Sequence, residues 1–198
     1  MRPLTLDDLL PLDEYADKRQ EFFASLSRYL DNYRRIRIGP ELTLVFENRQ
    51  TLWYRVHEVL CVARLAEPDR VQEELDVYNQ LLPSRNRLQA ALLIDVDEKA
   101  PLKSLAFWSG LRGDDLRLQI GVDSVPAQLL TCRPEDRCIG AAHWVYFEFN
   151  PRARQLFADW SRPAYFQITY STYRYDSPPL NEDIRQSLLD DLELSDQE

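Results

Sequence analysis

Apolar side chains recur at every third or fourth position over much of the first half of the chain, a spacing that places them on one face of a helix. The longest such run starts at residue 12, covers about six turns, and is stopped by the Gly39-Pro40 step. The same spacing recurs in residues 49–63, 68–82, 101–108 and 151–160. These runs predict helices, and Asn48 is placed to cap the second of them.

Apolar and polar residues alternate in the remaining segments, which is the period of a strand with one buried face. The alternating segments are residues 42–47, 88–96, 116–122, 124–131, 143–149 and 164–175. Helices cluster in the first half and strands in the second, so regular βαβ units are not indicated. We therefore predict an α+β fold, with a mainly antiparallel sheet of about five or six strands and helices packed on one face.

The length of 198 residues suits one globular domain, which we place at residues 1–180. Residues 181–198 hold seven acidic residues and a single Arg, which predicts an acidic C-terminal tail. If this tail forms a short helix, Ile184, Leu188 and Leu192 lie on one stripe, which can dock in a groove of a partner protein.

Charge and composition argue against a nucleic-acid-binding, membrane-spanning or secreted protein. The net charge is −9, so the chain gains little from counterion release on DNA or RNA, and no nucleic-acid partner is expected. No stretch reaches the roughly 18 apolar residues of a membrane-spanning helix. The acidic residues near the N-terminus do not fit a signal peptide, which favours a cytoplasmic protein. Cys61, Cys132 and Cys138 fit neither a disulfide framework nor a standard zinc pattern.

Signatures of catalysis are missing from the sequence. There is no Gly-rich phosphate loop, no GxSxG nucleophile motif and no CxxC pair, so no catalytic residue, cofactor or metal is assigned. Only two His are present. His143 shares a strand face with apolar residues and is interpreted as a satisfied core side chain, whereas His57 is interpreted as a boundary residue on its helix.

A group of polar residues surrounds the step from the 42–47 strand into the following helix. Its members are Glu47, Asn48, Arg49, Glu58, Asp95 and His143. Asp95 joins the group if a neighbouring strand brings it near Glu47. Two interpretations stay open: an internal salt-bridge network, or a site that binds a cation or a polar ligand.

A basic patch follows the first helix. It consists of Arg34, Arg35 and Arg37. Cations at this position complement the dipole of a helix C-terminus. They can also pair with the carboxylates of an acidic partner, because a guanidinium binds a carboxylate through two hydrogen bonds. Both interpretations stay open.

The residues of the opening segment LTLDDLLPLDEY and of the segment LTLVFENRQT at positions 42–51 carry a resemblance to a known family. With Glu58, the 88–95 strand and Ala142-His143, they resemble the bacterial domain-of-unknown-function family 3501. The resemblance reaches to about residue 173 and leaves the acidic tail outside. It implies no established activity. It does imply a context, because members tend to be encoded beside a rubrerythrin-like protein and an iron–sulfur oxidoreductase.

Three functions are compatible with these patterns. The first is an uncharacterised accessory or interaction protein that binds a rubrerythrin-like protein or an iron–sulfur oxidoreductase through the basic patch or the tail. The second is a metal- or small-ligand-binding protein, or an enzyme, that uses the polar group around Glu47. The third is a homo-oligomeric scaffold, since aromatic residues are enriched at protein interfaces.

Overall fold

The computed structural model describes residues 1–130 and 142–193. Within this part of the chain there are six α-helices and two short 3₁₀ turns. The helices are α1 (Leu12–Tyr33), α2 (Arg49–Ala63), α3 (Pro68–Asn79), α4 (Pro101–Trp108), α5 (Pro151–Ala158) and α6 (Glu182–Glu193). The 3₁₀ turns are Leu6–Asp8 and Gly113–Asp115. In the described residues no helix is long and apolar enough to span a lipid bilayer.

Eight strands form one antiparallel, nearly closed barrel in the described part of the chain. The strands are β1 (Arg35–Ile38), β2 (Leu42–Phe46), β3 (Arg87–Ile94), β4 (Leu116–Ile120), β5 (Asp123–Leu130), β6 (Ala142–Glu148), β7 (Ala164–Tyr170) and β8 (Tyr173–Asp176). Their order around the barrel is β1-β2-β3-β6-β5-β4-β7-β8. The two edge strands, β1 and β8, therefore come from distant parts of the sequence.

Tyr173 of β8 bridges the gap between the edge strands. The hydroxyl of Tyr173 donates to the carbonyl of Ile38 at 2.8 Å and accepts the amide of Glu41 at 2.9 Å. The turn between β1 and β2 approaches β8 closely at Gly39, whose φ of 66° lies in the left-handed region. A Cβ there would lie 2.6 Å from Tyr173 Oη and 2.6 Å from Tyr175 Cγ. Glycine is needed at this position for its backbone angle and for its lack of a side chain.

A glycine pair tests this closure. Gly121 also has a left-handed φ, of 60°, but a Cβ there would meet only Arg162 Nη1 at 3.5 Å. We expect Gly121→Ala to lower the free energy of unfolding by about 1 kcal/mol through backbone strain alone. Gly39→Ala adds a clash with two aromatic side chains, and we expect it to cost at least about 3 kcal/mol. Equal losses for the two variants in urea unfolding would contradict a barrel closed at Gly39.

Apolar side chains fill the barrel. The interior packs Leu44, Phe46, Leu118, Phe147 and Phe166, each fully buried or nearly so. Helices cover both ends. At one end Phe157 of α5 and the apolar face of α6 join the interior core. At the other end Trp108 of α4 is fully buried, with its ring 4.9 Å from the ring of Tyr173.

A second, smaller core lies on the outside of the barrel, beneath α2 and α3. It is built from Leu4, Leu52, Val56, Leu60, Val71, Leu75, Leu81 and Leu82. The outward face of β3 and β6 forms its floor, where Trp144 packs against the helices. This helical layer leaves α1 as the outermost helix, since only Tyr15 of its 22 residues is fully buried.

The predicted five- or six-stranded sheet with helices on one face is wrong. Two strands were missed. The sequence Arg-Ile-Arg-Ile at 35–38 was included in the end of the first helix, but Ile36 and Ile38 alternate inward as β1. The predicted last strand is a hairpin, because the chain reverses at Ser171, which has a φ of 50°. With eight strands the sheet curls upon itself, so the helices cover its ends and one part of its outer wall.

Residues 182–193 of the acidic C-terminal segment are part of the folded core. Its helix is capped by Asn181, whose Oδ1 accepts the amide of Ile184 at 2.8 Å. Leu188 and Leu192 are fully buried against the barrel interior. Packing therefore does not separate residues 182–193 from residues 1–180, although the sequence suggested a tail there.

Candidate functional site

An open groove runs between α1 and α2 and has a volume of about 300 Å³. Side chains from α1, α2, β2 and α3 line it. They are Phe23, Leu26, Leu30, Val45, Thr51, Tyr54, Arg55, Glu58, Val59 and Tyr78. Most of this surface is apolar, and Phe23 at the rim is 70% exposed. Val62, one turn beyond Val59 on α2, is 71% exposed. An exposed apolar surface of this kind is typical of an interaction site.

Polar contacts hold α1 on α2 at the first end of the groove. Glu58 accepts the Tyr15 hydroxyl at 2.9 Å and pairs with Arg19 at 2.6 Å. The hydrogen bond from Arg19 lowers the pKa of Glu58 below its ordinary value. Burial, together with the Glu58 carboxylate, raises the pKa of Tyr15. Glu58 therefore remains ionised near neutral pH, which keeps this contact intact.

A second polar contact holds the other end of α1. The hydroxyl of Tyr29 accepts the side-chain amide of Asn48 at 2.8 Å and Nε of Arg34 at 3.1 Å. Asn48 also caps α2, since its Oδ1 accepts the amide of Thr51 at 3.0 Å. The predicted cap is confirmed. Between these two contacts, the apolar residues of α1 face the open groove without a covering element from the described chain.

An ion pair between a buried carboxylate and a partly exposed guanidinium lies at the groove floor. Glu47 is 1% exposed and pairs with Arg55 at 2.6 Å, while Thr51 donates its hydroxyl to the same carboxylate. The Arg55 guanidinium lies over the Trp144 ring, 5.1 Å from its centroid. Arg55 reaches the groove surface, so the buried carboxylate of Glu47 fixes a cationic side chain there. Sequence patterns singled out Glu47 but missed Arg55, two turns along the helix.

The proposed polar group around Glu47 is dispersed in the structure. Asp95 lies opposite Glu41, because β2 and β3 pair in the antiparallel register Leu42↔Ile94. Glu47 follows β2 at the other end, near Gln89. Six residues of strand separate these two levels, a distance of about 20 Å. Neighbouring strands therefore do not bring Asp95 to Glu47. The expectation that the two residues lie close together is wrong because the strand register places Asp95 at the opposite end of β2.

The other members of that group have separate partners. Arg49 pairs with Asp8 at 2.6 Å, and Asp95 pairs with Arg37 at 3.3 Å. His143 is half-buried on β6 opposite Leu92. Asp95 also lines a shallow pocket of about 740 Å³ beside α4, far from the groove. Each charged member of the group forms its own ion pair with a nearby residue. This arrangement favours the interpretation of these residues as structural salt bridges.

His57 is a core residue and not the boundary residue that the sequence suggested. It is fully buried and stacks on Tyr15 at 4.6 Å. Its Nε2 accepts the amide of Leu10 at 3.0 Å, so Nδ1 carries the proton and donates to the carbonyl of Trp53 at 2.7 Å. Burial lowers the pKa of His57 and keeps its ring neutral.

The three arginines of the basic patch point to different partners. Arg35 pairs with Asp31 on the surface of α1, and Arg37 pairs with Asp95. Arg34 is 3% exposed and pairs with Asp191 of α6. The acidic partner of Arg34 is therefore the chain's own C-terminal helix, and the patch does not form one surface.

The predicted docking stripe of the C-terminal helix is also used within the chain. Ile184, Leu188 and Leu192 belong to the interior core, with exposed fractions of 8%, 0% and 0%. Amphipathic spacing alone does not distinguish a helix that binds a partner from one that binds its own barrel. A partner could bind this stripe only if α6 first detached from the barrel.

Metal ligands do not come together in residues 1–130 and 142–193. No group of three or more His, Cys, Asp or Glu is placed to hold a metal ion in this part of the chain. Cys61 is a half-buried free thiol on α2. Cys132 and Cys138 lie outside the described residues.

The comparison with known families gives one extended match. A family described as proteins of unknown function, DUF3501, matches residues 3–192. The chain belongs to this family. The predicted resemblance to the family is confirmed, but the expectation that the tail lies outside it is wrong, because the match includes nearly all of α6. This agrees with the burial of that helix.

A solved structure shares the whole architecture. It is a crystal structure of a protein of unknown function from Burkholderia pseudomallei, with a TM-score of 0.86 at 27% sequence identity. The match covers 96% of this chain and 100% of that chain. None of the curated proteins matches the sequence. The family and this solved structure are both described as of unknown function.

Proposed function

We propose that this member of the DUF3501 family is a cytoplasmic accessory protein that binds another protein through the groove between α1 and α2. One observation carries the proposal. Helix α1 is fixed at both ends by buried or partly buried polar contacts, yet Phe23, Leu26 and Leu30 between them line an open apolar groove. A helix held in this way presents a preformed surface, which lowers the entropic cost of binding.

The charge around the groove indicates the chemistry of the partner. Helix α1 contains five acidic and three basic residues, and α3 contains four acidic residues and one Arg. Two of the helices that line the groove, α1 and α3, are therefore acidic. An amphipathic helix with an apolar stripe and flanking Lys or Arg residues complements both features.

The family context suggests which proteins to test. The resemblance to this family implies a genomic context, because members tend to be encoded beside a rubrerythrin-like protein and an iron–sulfur oxidoreductase. We propose one of these two as the partner. The dispersal of the polar group into local ion pairs gives no support to the alternative of a metal- or small-ligand site around Glu47. The accessory role therefore fits the described surface best.

A pair of surface variants tests the groove. Phe23→Asp places a charge at its rim, and Val122→Asp places one at a distant turn of the barrel where Val122 is 94% exposed. We expect Phe23→Asp to weaken binding of the purified partner by about 30-fold, the size of an interface hot spot. Val122→Asp should leave the affinity unchanged. Biolayer interferometry with each candidate partner gives the two dissociation constants.

Two outcomes would contradict the proposal. In the first, neither candidate binds the wild-type chain, or both variants bind as the wild type does. In the second, light scattering shows a dimer of this chain that Phe23→Asp converts to a monomer while partner binding is retained. The groove would then be the interface of a homo-oligomer.

A further inference from the structure

A further cavity lies between the N-terminal segment and the start of β3 and has a volume of about 500 Å³. Its lining is Met1, Pro3, Asn79, Gln80, Leu82, Pro83, Ser84, Arg85, Arg87 and Gln89. Two features set it apart. Among the described residues its lining includes two arginines and no acidic side chain, and two buried polar atoms of lining residues have no hydrogen-bond partner in that part of the chain.

The first of these atoms is Oε1 of Gln89. The Gln89 side chain is 3% exposed, and its Nε2 donates to the carbonyls of Gln80 at 3.0 Å and Leu82 at 3.1 Å. These two acceptors fix the orientation of the amide, because the opposite orientation would direct an oxygen at two oxygens. Oε1 is left as an acceptor without a donor among the described residues. A buried acceptor of this kind lowers the stability of the fold unless a bound molecule donates a hydrogen bond to it.

The second atom is Nε of Arg87. This nitrogen is buried and has no acceptor in the part of the chain that the structure describes. The guanidinium stacks on the ring of Tyr146, 3.6 Å from its centroid, which fixes its plane. Arg87 and Gln89 are two residues apart on the outward face of β3, so their Cα atoms are about 7 Å apart and the unused donor and the unused acceptor belong to neighbouring side chains on one face.

A ligand that satisfies both atoms needs an acceptor with negative charge next to an N–H donor. The last residue of a peptide has this arrangement, because its carboxylate and its amide N–H flank a single Cα. Apolar side chains of Leu82 and Pro83 offer a wall for its side chain. The opposite wall is held in place by Asn79, which exchanges two hydrogen bonds with the backbone of Leu4.

We infer that this cavity binds the carboxyl-terminal residue of a peptide, with Arg87 on its carboxylate and Gln89 Oε1 accepting its amide N–H. Capture of a terminal carboxylate is an established mode of peptide recognition. The Arg87 guanidinium disfavours a free amino group near the carboxylate, since the two cations would repel each other. The inference does not depend on the groove between α1 and α2, and either can fail alone.

Small-molecule probes test the inference on the wild-type protein. N-acetyl-leucine contains the carboxylate, the amide N–H and an apolar side chain. N-acetyl-leucinamide lacks the carboxylate, and 4-methylpentanoate lacks the N–H. In ¹⁵N NMR spectra we expect N-acetyl-leucine to shift the Arg87 Nε–H and the Gln89 side-chain signals with a Kd on the order of 1 mM. The other two probes should bind at least tenfold more weakly.

Two variants test whether Arg87 contributes to this binding. Arg87→Gln should weaken N-acetyl-leucine binding at least tenfold, and Arg174→Gln, on β8 and remote from the cavity, should not change it. Equal binding of 4-methylpentanoate or inorganic phosphate would overturn the inference, because a simple anion site needs no acceptor at Gln89. The absence of shifts at Arg87 and Gln89 at 50-fold above the expected Kd would overturn it as well.

Discussion

Replacing Arg185 by Met is expected to lower the free energy of unfolding by about 4 kcal/mol, since it leaves several buried carbonyl groups without a donor. Arg185 is 3% exposed, although it lies in a helix that reads as an acidic tail. Its guanidinium donates to the carbonyl of Phe157 at 2.7 Å and to that of Asp159 at 2.9 Å. It also donates to the carbonyl of Arg162 at 2.7 Å.

These acceptors explain why the loss should be large. They include carbonyls at the C-terminus of α5, which have no partner within that helix. The guanidinium also lies between the rings of Phe157 and Trp160, with its carbon 5.2 Å and 4.9 Å from their centroids. Arg185 thus joins α6 to α5 through one planar group with several donors.

A conservative variant distinguishes the contribution of the positive charge of Arg185 from that of its hydrogen-bond geometry. Arg185→Lys keeps the positive charge but reaches fewer carbonyls, so we expect it to recover less than half of the loss. Urea unfolding of the three proteins gives the comparison. A loss below about 1 kcal/mol for Arg185→Met, the range of surface substitutions, would show that α6 is not held by this residue.

Removing Arg34 is expected to cost about 3–5 kcal/mol at pH 7.5, because it leaves the carboxylate of Asp191 buried without a counter-ion. Both side chains are nearly inaccessible, with exposed fractions of 4% and 3%. Arg34→Met creates the unpaired charge. The double variant with Asp191→Leu removes both charges and should recover most of the stability. A double variant as unstable as Arg34→Met would contradict this reading of the pair.

The same pair makes stability depend on pH. Burial raises the pKa of Asp191 from 3.8 to about 6, against the opposing effect of Arg34. The folded chain therefore binds this proton more tightly than the unfolded chain. Its contribution to stability falls as the pH rises from about 4 to about 6 and is constant above that. By linkage the fall is roughly 3 kcal/mol.

Asp191→Asn isolates this effect from other titrating groups. The difference in unfolding free energy between the wild type and Asp191→Asn should decrease from pH 4 to pH 6. Buried His57, whose pKa is lowered, contributes the opposite trend below pH 6.5 to both proteins and cancels in the difference. A difference that is flat across this range would show that the pKa of Asp191 is not raised in the folded chain.

Local patterns account for the elements that could be predicted from the sequence. Hydrophobic spacing gave the helices, and Asn48 identified the start of α2 because capping involves residues only three positions apart. The two missed strands lack such signals. Strand β1 has four residues and follows a helix directly, and the hairpin of β7 and β8 turns at Ser171 in place of the usual Gly or Asn.

Long-range contacts account for what could not be predicted. The Tyr173 bond that closes the barrel joins residues 135 positions apart, and the Arg34–Asp191 pair joins residues 157 positions apart. No periodicity encodes such distances. The adjacent pair Phe22 and Phe23 of α1 points about 100° apart on the helix, and both can in principle face a core. Only tertiary contacts distinguish them, because Phe22 packs against Trp53 whereas Phe23 is exposed.

Hydrogen–deuterium exchange of the full chain, with and without the bound partner, distinguishes a partner site in the groove between α1 and α2 from one on the C-terminal helix. We predict slow exchange of α6 in the free chain, because it is part of the barrel core, and no change there on binding. Exchange in α1 and α2 should slow when the partner binds. Fast exchange of residues 182–193 in the free chain, with protection on binding confined to them, would contradict the account and return the partner site to the C-terminal helix.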